Sequence, residues 1–96
     1  MSRELPIPPD CRVPQAAEVL RAWVNPNNGL SVMIIPAFRD SGAWGVALAD
    51  IARHAARAFA DRDGVTEEES LNAIKQFFDA EWYRPTDLGK TSDYAK

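Results

Sequence analysis

Apolar residues crowd into two short runs, 19–24 and 30–35, rich in β-branched side chains and separated by Asn25, Pro26, Asn27, Asn28 and Gly29. Residues of that kind tolerate tight turns and positive φ, so the pattern predicts a β-hairpin closed by a five-residue loop. Pairing Val24 with Leu30 puts Leu20, Ala22 and Val24 on one face with Leu30, Val32 and Ile34. The other face then carries Val19, Arg21 and Trp23 opposite Ser31, Met33 and Ile35. A face turned to water should alternate to polar residues. Val19, Trp23, Met33 and Ile35 do not, so the second face is expected to be covered and is read as an interface. Pro36 closes the second strand, where a missing donor is tolerated.

Downstream the period changes from two residues to 3.6. Asp40 or Ser41 can cap a helix over 41–61 that ends before Gly64, whose lack of a Cβ suits a C-terminal turn. Trp44, Ala47, Leu48, Ile51, Ala55, Ala58 and Phe59 fall on one stripe of it, while Val46, Ala49, Ala56 and Ala60 make the opposite side rich in small residues. That side either admits another backbone closely or reflects only the helix propensity of Ala. Thr66, Glu67, Glu68 and Glu69 form a capping-box sequence that opens a second helix over 66–83, stopped by Pro85. Its stripe is Leu71, Ile74, Phe77, Phe78 and Trp82. Residues 1–14, with Pro6, Pro8, Pro9 and Pro14, read as an extended arm, and 84–96 read as a polar tail.

The fold class that follows is α+β in a single domain spanning 1–96. An antiparallel hairpin at 19–35, extended by the arm or by a second subunit, packs against two antiparallel helices. The aromatic residues are expected to define its core. Composition bounds the chemistry more tightly than the fold. The chain has 96 residues, one Cys, one His and a formal net charge of -3. One Cys excludes an internal disulfide, and one Cys with one His cannot make a four-ligand zinc site, so no metal and no cofactor are expected. Charge divides along the chain: 1–62 balances at +1, whereas 63–96 carries eight acids against four bases. An acidic second half argues against a nucleic-acid face. No apolar run reaches the 18 or so residues that a membrane span needs. The first residues lack the basic and apolar regions of a secretion signal, so a cytoplasmic location is expected.

Four polar residues stand out. Asp50 and His54, at i and i+4 on the first helix, can form a carboxylate–imidazole pair fit for proton transfer, or an ordinary surface pair. Glu81 falls within the apolar stripe of the second helix, where it requires a cation or donors, with Arg21, Arg39 or Arg84 as partners, or else escapes to water from the helix end. Asp61, Arg62, Asp63 and Gly64 between the helices fail the register of a calcium loop, which would put Phe59 at the first ligand position. Cys11 has no nearby base to activate it.

The run Leu20-Arg-Ala-Trp23-Val, the run Leu30-Ser-Val-Met-Ile-Ile-Pro36-Ala-Phe38 and the run Trp44-Gly-Val-Ala-Leu48-Ala-Asp50-Ile-Ala-Arg53-His54 together resemble a family of short, chiefly alphaproteobacterial proteins catalogued as a domain of unknown function. The resemblance spans about 5–87 and implies a small α+β domain with no catalytic residues to carry over. The expectation for function is a non-enzymatic interaction module that forms a homodimer or binds an unidentified protein. The competing expectation is a small-molecule-binding or catalytic protein with Arg39, Asp50, His54 and Glu81 around a ligand site.

Overall fold

The structure, a computed structural model, describes residues 4–86 and the backbone of 90–93, and its architecture is α+β as expected. Strands β1 (Leu20–Val24) and β2 (Leu30–Ile34) form the antiparallel hairpin, and Val24 pairs with Leu30 as the turn chemistry requires. Asn25 organises the loop. Its Oδ1 accepts from the amides of Asn27 (3.0 Å) and Gly29 (3.1 Å), its Nδ2 donates to Ser31 Oγ, and Asn28 takes the left-handed conformation at φ 64°. The arm folds back through a single 3₁₀ turn at Pro9–Cys11 and reaches the hairpin where Arg21 meets Glu4 at 3.3 Å and Glu18 at 2.7 Å. It adds no strand to the described sheet.

Helix α1 (Gly42–Asp63) begins with Asp40 Oδ1 accepting from the amide of Ala43, so Asp40 and not Ser41 supplies the side-chain cap. It ends at Gly64, whose φ of 75° is the left-handed C-terminal conformation that glycine adopts without strain. Helix α2 (Glu67–Tyr83) starts as the capping-box sequence predicts, with Thr66 Oγ1 accepting from the amide of Glu69 at 3.0 Å. The short turn between them makes the helices antiparallel neighbours.

Three features settle or depart from expectation. First, the two helices meet on the Ala-rich side of α1, the alternative in which small residues admit another backbone closely. Ala56 is fully buried and Ala52 and Ala60, one turn either way, are half-buried, opposite the half-buried Ser70, Leu71 and Ile74 of α2. Small residues at i, i+4 and i+8 let the second backbone approach, while the stripe of large residues on α1 remains bare. Ala56 is the sole buried hydrophobic residue among those described, so the aromatic residues do not form the core expected of them. Second, Lys90–Asp93, within the segment read as a polar tail, is a strand, β3, lying parallel to β2 on its far side. Its sequence lacks apolar alternation, and backbone ladder bonds alone define it.

Third, the helices do not cover the hairpin. Among the described residues no strand residue lies within 8 Å, Cα to Cα, of either helix. The hairpin-to-helix packing expected of one chain is therefore not made within it. The cause lies in the connection out of β2. Beyond Pro36 the Ala37 amide donates back to the Ile35 carbonyl, and Phe38 stacks edge-on against Trp44 at 4.9 Å, fixing the linker to the first turn of α1.

Candidate functional site

The surface is much larger than one folded chain of this mass needs. Its accessible area is 8569 Å², against about 5,500 Å² for a folded monomer of 10.6 kDa. The excess is about 3,100 Å². The Cα radius of gyration, 15.1 Å, likewise exceeds the roughly 12.5 Å of a compact domain of this length. Exposed large apolar side chains occur along the arm and on two further surfaces.

One is the helical pair away from the Gly64 turn. Near that turn the helices are packed together, but further along α2 the same side bears Phe77, Phe78 and Trp82, all exposed, Phe77 by 74%. Phe78 stacks on Trp82 at 5.4 Å between centroids, making a flat apolar plate. On α1, Leu48, Ile51 and Val46 are also exposed. A shallow concavity of about 570 Å³ lined by Phe59, Ser70, Ala73, Ile74, Phe77, Phe78 and Glu81 runs along this surface. The other is the sheet. Val24 and Leu30 on the apolar face of the hairpin are exposed, and on its second face Trp23 keeps 45% of its area in contact with solvent. A second concavity, about 610 Å³, opens between the arm and β1 beside Arg21 and Trp23.

The polar residues singled out from the sequence are dispersed across the elements. Arg39 sits in the exposed linker before α1, and Asp50 and His54 lie on exposed turns of α1. His54 Nδ1 faces Arg57 Nη1 at 3.5 Å, not Asp50, and Arg57 in turn pairs with Glu67 at 3.1 Å, so the imidazole belongs to a polar link between the helices. Glu81 is exposed, not enclosed by Ile74, Phe77 and Phe78, and none of Arg21, Arg39 and Arg84 is its hydrogen-bonding partner. Its carboxylate accepts from the Thr86 amide at 3.0 Å and from Thr86 Oγ1 at 2.9 Å, which closes the chain behind Pro85. Glu81 lines the concavity on the helical pair; Arg39, Asp50 and His54 line neither concavity. Among the described residues no group of three His, Cys, Asp or Glu is arranged to hold a metal ion, and Cys11 is an exposed thiol.

Charge on this surface is local. Arg62 lies over the Phe59 ring at 4.6 Å and donates two hydrogen bonds to Asp63, which hold the Asp63 carboxyl below its ordinary pKa and raise that of the guanidinium. Arg21 is likewise raised, first by its hydrogen bond to Glu18 and by that carboxylate's charge, then by Glu4. No described helix is long and apolar enough to cross a membrane.

A family profile described as "Domain of unknown function (DUF5076)" matches residues 4–86. No curated protein matches the chain. Among solved structures, one described as a "putative pyruvate dehydrogenase from the photosynthetic bacterium Rhodopseudomonas palustrus CGA009" is 45% identical, with a TM-score of 0.74 over 96% of this chain and 95% of that one.

Proposed function

Because the chain belongs to DUF5076, a domain of unknown function, its role is read from its own surface, and we propose that it is a self-associating interaction module whose working unit is a homodimer. The observation that carries this reading is the excess of about 3,100 Å² over the surface of a compact monomer. Sixteen large hydrophobic side chains among the described residues are exposed as well, and a monomer leaving them in water gains little from the hydrophobic burial that stabilises folded chains. Covering it in both copies removes roughly 6,000 Å², the scale of permanent dimers and well above that of crystal-type contacts. Val19, Trp23, Met33 and Ile35 on the second sheet face, and the plate of Phe78 and Trp82, supply the apolar and aromatic character that interface centres favour.

Sedimentation equilibrium from nanomolar to micromolar concentration tests the reading. The expected result is a dimer, which Trp23→Arg weakens if the second hairpin face takes part in the contact and leaves intact if the opposite face does. A monodisperse monomer at micromolar concentration, with a Trp23→Arg variant of unchanged solubility, overturns it.

A further inference from the structure

We propose that the dimer forms by reciprocal cover, the helical pair of each copy packing on the apolar hairpin face of the other, the face of Leu20, Val24 and Ile34. This rests on the self-association reading and names the surfaces that meet.

The argument starts from topology. β2 and β3 are parallel neighbours, and the chain between them is the α1–α2 pair. A crossover joining adjacent parallel strands is usually a helix that packs on the sheet. Here the crossover is made and its cover is missing: no described strand residue approaches either helix within 8 Å. The chain therefore holds a sheet without its helical layer and a helical layer without its sheet, each the complement of the other.

The faces fit this exchange. Within the hairpin, Leu20, Ala22, Val24, Leu30, Val32 and Ile34 carry no polar side chain, and polar residues enter this face only at the β3 edge, where Thr91 and Asp93 stand in register with Val32 and Ile34. The second face is occupied differently, since Arg21 is held there by Glu18 and by Glu4 of the arm. On the helical side, the bare surfaces of α1 and α2 place Leu48 and Ile51 with Phe77, Phe78 and Trp82 in the half where the pair is not already packed on itself. A second copy is the occupant because it brings both missing layers at once and closes by two-fold symmetry, which a single foreign partner cannot do.

The test uses the natural chain, half uniformly labelled with ¹³C and ¹⁵N and half unlabelled, mixed, unfolded and refolded together. Isotope-filtered NOE spectra are expected to show contacts between chains from the Val32 and Ile34 methyls to the Phe77 and Phe78 rings. A second measurement replaces Cys11 with Ser and compares Val32→Cys chains, Ile51→Cys chains and their mixture under a short bis-maleimide. The mixture is expected to give several times more cross-linked product of twice the chain mass than either variant alone. Contacts between Val32 and Phe77 found only within one chain overturn the exchange, as do contacts between chains confined to sheet against sheet, and either result leaves the dimer standing. A sample that stays monomeric through both measurements overturns the dimer as well.

Discussion

Replacing Phe77 with Ser separates an exposed aromatic that association covers from one that water always sees. The ring keeps 74% of its area in solvent, about 150 Å² of a side chain of roughly 200 Å². If association covers it, that area contributes about 3.7 kcal/mol per chain at about 25 cal/mol per Å². Two copies give about 7 kcal/mol, or about 10⁵-fold in the dissociation constant, at about 1.4 kcal/mol per tenfold. Losses of that size per aromatic anchor are within the range of interface hot spots. The assay is sedimentation equilibrium combined with urea unfolding at several protein concentrations, because a folded dimer has a midpoint that rises with concentration. Phe77→Ser is expected to abolish that concentration dependence below about 10 μM while leaving helical circular dichroism unchanged at millimolar concentration. If the ring is solvated in the working state, the change belongs with ordinary surface substitutions, within about 0.5 kcal/mol. A variant whose dissociation constant moves less than about tenfold refutes the cover of this surface by a second chain.

Two further outcomes test the single chain. Ala56→Leu inserts three carbons at the one fully buried side chain of the helix seam, and overpacking of that kind costs about 1 to 3 kcal/mol; an unchanged urea midpoint would show that the seam is not closely packed. Asp63→Asn removes a carboxylate whose folded pKa is lowered by the hydrogen bonds from Arg62. A lowered pKa contributes stability present above the unfolded value and lost as pH falls through the folded one. The difference between wild type and variant is therefore expected at neutral pH and to vanish on acidification, and a difference that persists unchanged at pH 2 contradicts this origin.

Local chemistry is the legible part of this chain. The hairpin register follows from Asn25 and its loop, because a one-residue slip would move every apolar side chain to the other face, and the observed pairing of Leu20 with Ile34 through Val24 with Leu30 obeys it. The start of α2 follows from Thr66, whose hydroxyl satisfies an amide that the helix itself leaves unpaired. β3 leaves no signal in Lys90, Thr91, Ser92 and Asp93, since a polar strand aligned by backbone bonds carries no alternation. The candidate site is less legible for a related reason. Helical angle places Glu81 among Ile74, Phe77 and Phe78 correctly, but angle says nothing about whether a neighbouring element covers that arc, and Thr86, five residues on, supplies the donors in place of an arginine.

The same limit explains why the pattern leaves open whether the arm or a second subunit supplies the cover. Hydrophobic burial is nearly non-directional and scales with area, so a stripe such as Leu48, Ile51 and Phe59 specifies that it needs cover without specifying whose residues provide it. Periodicity therefore reads identically for a helix packed on its own sheet and for one packed on a copy's. The choice is made by the linkers, where it takes only a few residues: Pro36 without a donor, the tight turn at Ala37, and Phe38 locked on Trp44. Under the proposed dimer, the exposed apolar side chains and the missing hairpin-to-helix packing have a single explanation, because the faces one chain leaves uncovered are the ones a second copy would cover.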